Sequence, residues 1–117
     1  MKKIEFTFLY ESEGYITYSI EVVSNSFSGI GTYCDHRNYL NLWIDQLYNL
    51  YNSLNGEVCI QDYDTGDCIY FSAKQYGQIK VSGNISDFVQ SLRFEFLIDQ
   101  TYLPDIINEL KSLLEHS

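Results

Sequence analysis

Between Glu57 and Ile98 the chain carries four short apolar alternations joined by brief connections, and no other feature restricts the fold as tightly. Val58 with Ile60, Ile69 with Phe71, Ile79 with Val81, and Leu92, Phe94, Phe96 and Ile98 each set alternate apolar residues on one side of a strand. Parallel neighbours need a crossover of about a dozen residues or more, so these segments read as an antiparallel meander. In its first hairpin, pairing Val58 with Phe71 and Ile60 with Ile69 gathers the apolar residues on one face. That register leaves Tyr63-Asp64-Thr65-Gly66 as the loop. The stretch from Gly83 to Ser91 reads as a longer polar connection, with Ile85 and Phe88 tucked into the core.

Upstream, Ile4, Phe6, Phe8 and Tyr10 alternate with more polar residues, as do Ile16, Tyr18, Ile20 and Val22. Glu11-Ser12-Glu13-Gly14 between them has turn chemistry, which makes an N-terminal hairpin. The glycine- and serine-rich segment 24–33 has little periodicity and is allotted at most one short strand. From His36 to Leu54 the period changes: Leu40, Trp43, Ile44, Leu47, Leu50, Tyr51 and Leu54 follow the three-and-four spacing of an amphipathic helix. Asp35 is the expected N-cap and Asn55-Gly56 the expected stop.

A second helical stripe runs through Ile106, Ile107, Leu110, Leu113 and Leu114. Pro104 suits its first turn, Thr101 is placed to cap it, and Asp105 favours the positive end of the helix dipole. Two helices with one apolar stripe each, and strands with one strongly apolar face, give an α+β domain. The expected architecture is an antiparallel sheet of six to seven strands with two helices on one face, in the order β-β-(β)-α-β-β-β-β-α. One domain over residues 1–117 accounts for the length.

Sixteen acidic against seven basic residues leave a formal charge of −9, and the basic residues form no run. Such a field repels nucleic acid and anionic membrane surfaces and steers a basic protein partner inward. The residues after Lys2-Lys3 alternate instead of forming a signal-peptide core, and no apolar run approaches the ~18 residues of a membrane span. A cytoplasmic location is expected. Cys34, Cys59 and Cys68 are an odd set without CxxC spacing; with only His36 and His116 as nitrogen donors, they read as reduced thiols.

Candidate chemistry is sparse. Asp62, Asp64 and Asp67 in "DYDTGD" resemble the start of a calcium loop, yet the glycine comes one place early and Ala73 stands where the bidentate glutamate belongs. The bland reading, a hairpin loop shaped by Asp and Gly, is preferred, and three loop carboxylates suit a basic partner. Cys59 and Cys68 fall on the same polar face, close enough for a diagonal contact but short of a zinc ligand set. No nucleophile elbow, Walker loop or GxGxxG precedes a helix, and Glu95 with Asp99 reads as a solvated ionic face rather than an acid–base pair. No enzyme activity, metal or cofactor is expected. Of the eleven tyrosines most are assigned to packing, Tyr10, Tyr18 and Tyr51 among them. Tyr70 instead shares the polar sheet face with Arg93 and Glu95, where an aromatic residue suits an interface. The expected partner-binding residues are Asp62, Asp64, Asp67, Tyr70 and Glu95.

Three segments carry a family resemblance: "FSGIGTYCD" at 27–35, "LNGEVCIQDYDTGDCIYFSAKQYGQIKVSGNI" at 54–85 and "LRFEFLIDQTYLPDIINELKSLL" at 92–114. The chain resembles the small immunity proteins of bacterial polymorphic toxin systems, in particular the WapI-like group, over about its C-terminal three quarters; residues 1–26 match only as a generic hairpin. The resemblance implies a cytoplasmic antidote that blocks the toxic C-terminal domain of a neighbouring secreted protein, commonly a nuclease. It carries over no contact residues. The alternative is a non-catalytic accessory or structural subunit that acts through homo-oligomerisation or another protein partner.

Overall fold

The computed structural model describes residues 2–115. Its order is β1 (Lys2–Ser12), β2 (Tyr15–Ser24), β3 (Phe27–His36), α1 (Arg37–Ser53), β4 (Glu57–Gln61), β5 (Cys68–Ala73), β6 (Gln78–Asp87), β7 (Gln90–Asp99) and α2 (Leu103–Leu114). The α+β class and the element order are those read from the sequence. The seven strands divide into two antiparallel sheets, β1-β2-β3 and β4-β5-β6-β7.

The meander has the register its apolar pattern dictates, with Val58 opposite Phe71 and Ile60 opposite Ile69. Ile79 and Val81 continue that buried row onto β6, and Phe96 and Ile98 onto β7. In the first sheet, Ile4 and Phe6 of β1 pair with Val22 and Ile20 of β2. A register shift between Phe8 and Tyr10 inserts an extra residue into β1. The extra residue turns the strand end outward, so Tyr10, expected in the packing, is exposed.

Of segment 24–33, expected to hold at most a short strand, residues 27–33 belong to the ten-residue strand β3, while Ser24 ends β2. Its glycines are what permit this. A Cβ on Gly31 would lie 2.7 Å from Ile85 Cβ and 2.8 Å from the Ser86 backbone nitrogen, so only glycine lets β3 close on β6. Tyr33, fully buried, completes the junction by donating its hydroxyl to the Asn84 carbonyl at 2.6 Å.

The helices bridge the sheets, with α1 packed on α2, β3 and β4, and α2 on β1. Leu40, Ile44, Leu47 and Leu50 of α1 meet Ile106, Ile107, Leu110 and Leu113 of α2 in one continuous core. The α2 side chains also satisfy the outer edge of β1. Glu109 accepts from the Phe6 amide at 2.8 Å, which protects an edge donor that has no strand beside it. Arg37 joins β1 to both helices by a forked pair with Glu11 and a 2.9 Å bond to the Leu114 carbonyl.

Several caps differ from expectation. His36, not Asp35, caps α1 by accepting from the Asn38 amide, and Leu54 takes the left-handed stop position ahead of Gly56. Asp99 rather than Thr101 shapes the entry to α2, accepting from the Thr101 amide at 3.0 Å and its hydroxyl at 2.6 Å. Phe88, expected in the core, is 99% exposed at the tip of the tight β6–β7 hairpin, because β6 and β7 stay paired out to Asp87 and Gln90. Ile85 is buried as expected.

If the sheets depend on the glycine contact, Gly31→Ala should destabilise the fold by about 1–3 kcal/mol, the usual range for overpacking. Denaturant titration measures this, and an unchanged midpoint would show that β3 and β6 can separate freely.

Candidate functional site

The loop Asp62–Asp67 was expected to offer three carboxylates to solvent, and the fold gives them three different tasks. Asp62 is 3% exposed. Its Oδ1 accepts from the Cys34 amide at 2.8 Å, and its Oδ2 accepts from the Thr65 amide at 3.2 Å and the Thr65 hydroxyl at 2.6 Å. It therefore shapes the loop from within, where the sequence reading places all three carboxylates on an exposed loop. Asp67, half-buried, accepts from Asn84 Nδ2 and Ser86 Oγ, both at 2.7 Å, and so fastens the loop to β6. Asp64 alone of the three projects outward.

Asp35 completes the arrangement from the other side. Its Oδ1 accepts from the Tyr63 amide at 3.1 Å and its Oδ2 from the Tyr18 hydroxyl at 2.7 Å, while Tyr63 N also donates to the Cys34 carbonyl at 3.1 Å. The β3 end and the loop thus exchange bonds, each supplying a buried carboxylate to a backbone amide of the other. Burial pushes the Asp35 carboxyl up to about 7, with Asp62 adding to the rise and the Tyr18 bond opposing it. Read as a helix cap, Asp35 was missed in this role. Alternation shows that its side chain faces inward but not which distant amide it meets.

Tyr70 and Glu95 lie where alternation placed them. Cys59, Tyr70, Ser82 and Glu95 stand in one row across the four strands of the second sheet. Tyr70 and Glu95 border a shallow depression of about 440 Å³ that includes Asn84 and Arg93. Asn84 also holds Asp67, so the loop and the sheet face form one continuous surface. Lys80 lies 3.6 Å from Glu95, an exposed pair that contributes little to stability.

Cys59 makes its expected diagonal contact with Cys68; burial first, then Cys68, pushes its thiol up to about 11. Burial raises Cys34 as well. Both shifts disfavour the thiolate that a nucleophile or metal ligand requires. Among the described residues no group of three or more His, Cys, Asp and Glu could hold a metal; His116 lies outside them. No helix of the described residues is long and apolar enough to cross a membrane.

The loop and sheet face together present Asp64, Tyr70, Arg93 and Glu95. The family model described as Immunity protein WapI-like matches residues 4–116. The chain belongs to that family. The match takes in the N-terminal hairpin as well as the three segments that carried the resemblance. Membership makes it a toxin immunity protein and implies a non-catalytic inhibitor that binds a toxin protein. Searches of curated proteins and of solved structures found no match.

The Asp35–Asp62 exchange yields two expectations. Asp62→Ala orphans buried amides and should cost about 2–4 kcal/mol in denaturant unfolding. Because folding raises the Asp35 carboxyl, its contribution is largest below the unfolded value and is lost as pH rises through about 7. The stability of the native protein relative to Asp35→Asn should therefore fall between about pH 4 and 7, by up to about 1.4 kcal/mol per unit. A pH-independent difference would remove the buried ionisation.

Proposed function

We propose that this immunity protein is the cytoplasmic antidote of a polymorphic toxin and binds its toxic C-terminal domain stoichiometrically. The single observation that carries this reading is the family match over residues 4–116. The toxin domain is proposed to be a nuclease, which holds phosphate and so presents a basic groove. A chain with a formal charge of −9 is suited to occlude such a groove.

The binding surface is proposed to be the outward loop residue Asp64 with Tyr70 and Glu95 on the adjoining sheet face. Asp62 and Asp67 serve it indirectly by fixing the loop. Tyr70 is the natural anchor, because an aromatic side chain among charged neighbours gives up little rotamer freedom for the area it covers.

A second reading is self-association. Phe88 and Val89 at the β6–β7 tip are 99% and 100% exposed, and Phe27 and Ile30 on β3 are exposed as well. Sedimentation separates the readings, since an obligate oligomer persists at nanomolar concentration.

Co-expression with the C-terminal domain encoded by the toxin gene beside its own should restore growth and co-purify that domain. A toxic domain that this chain neither rescues nor binds would overturn the antidote reading. Within a complex, Asp64→Lys and Glu95→Lys should slow association most at low salt, and Tyr70→Ala should weaken binding by about 2 kcal/mol, roughly 30-fold, through faster dissociation. Stopped-flow kinetics would show this; unchanged rates would move the interface elsewhere.

A further inference from the structure

On the other side of the loop lies a cavity of about 270 Å³, lined by Asp35, Tyr39, Trp43, Asp62 and Tyr63 among others. It is too small for a cofactor and about right for one side chain. Its walls are aromatic. Tyr39 and Trp43 stack with ring centres 5.9 Å apart, and Tyr63 leans on Tyr15 at 5.3 Å. Trp43 is nearly buried, whereas Tyr39 and Tyr63 remain 54% and 65% exposed, a large share for rings already ordered at the mouth of a cavity. The floor holds two carboxylates that are 2% and 3% exposed, and no lysine or arginine is among the described residues that line the space.

Aromatic faces beside a desolvated carboxylate favour a flat, weakly hydrated cation over an ammonium or a neutral group. We propose that this cavity receives one arginine side chain of the toxin, its guanidinium lying between the Tyr39 and Tyr63 rings and bonding to Asp35. The proposal rests on the toxin-binding reading and adds a specific anchor beside the Asp64–Tyr70–Glu95 surface.

Asp35 has room for the bond. Among the described residues it accepts from the Tyr63 amide and the Tyr18 hydroxyl, and each carboxylate oxygen can take two donors. Around it stand Tyr18 and Tyr33 from the first sheet, Cys34 beside it, Tyr39 from α1, and Asp62 and Asp64 from the loop; of the residues that follow it, His36 is turned to Tyr15 and the Asn38 amide, and Arg37 is paired with Glu11. An arriving guanidinium would supply the missing countercharge. Since burial pushes this carboxyl up to about 7, binding that takes up the ionised form weakens as pH falls below that value.

The test uses N-acetyl-arginine methylamide as the probe and amide and indole NMR shifts of the whole chain at pH 8. Saturable shifts should appear at Asp35, Tyr39, Trp43, Tyr63 and Thr65 and be absent with the norleucine analogue. Tyr39→Ala and Tyr63→Ala, both at exposed rings, should each weaken the probe about two- to fivefold, as loss of an exposed cation–π contact does. Affinity should also drop by up to about tenfold per pH unit below 7. Dispersed or unsaturable shifts, equal shifts from norleucine, or tyrosine variants that bind as well as the native chain would overturn the proposal. Growth rescue without probe binding leaves the antidote reading intact and removes this cavity. Probe binding without rescue supports a guanidinium site while the toxin reading fails.

Discussion

The structure turns on an exchange of hydrogen bonds between Asp35 and Asp62. Asp35 closes the end of β3 onto the Tyr63 amide, and Asp62 closes the loop onto the Cys34 amide. Among the described residues the two sheets share no ladder, so their relative placement rests on this exchange, on the helices, and on the close approach of β3 to β6 at Gly31. Two buried carboxylates so close together are costly as charges. Each is retained because it satisfies buried donors: removing Asp62 orphans the Cys34 amide, and removing Asp35 orphans the Tyr18 hydroxyl, while the Tyr63 amide keeps its bond to the Cys34 carbonyl. The outward loop residues inherit their positions from this buried pair.

Much of the fold was legible because its signals are local and periodic. The β4–β5 register followed from keeping Val58, Ile60, Ile69 and Phe71 on one face, since any one-residue slip would expose all of them. Helix α1 stood out through the spacing from Leu40 to Leu50, and Pro104 lies in the first turn of α2 as its chemistry requires. The glycine-rich β3 was illegible for the opposite reason. Its strand character comes from pairing with β2 and from the close approach to β6, and neither leaves an apolar alternation. Phe88 misled because hydrophobicity argues for burial, whereas the tight hairpin puts it at a tip.

The proposed binding surface was legible only in part. Tyr70 and Glu95 fell on the polar face by simple alternation, and the pairing of β5, β6 and β7 put them in one row. The loop carboxylates looked equivalent in sequence and are not, because the amides they meet lie on β3 and the side chains on β6, about twenty or thirty residues away along the chain. Those partners divide the loop into buried fasteners and an exposed remainder. For a protein that must recognise another surface, a fastened loop reduces the ordering cost of association and leaves its charge free to steer the encounter.

The most direct measurement of this account is native-state hydrogen exchange at the Cys34 and Tyr63 amides. If the carboxylate exchange holds the sheets and loop together, both amides should open only with global unfolding, and Asp62→Asn should accelerate both together. Exchange of Tyr63 on the timescale of a freely fraying loop, with Cys34 unaffected by the substitution, would contradict it.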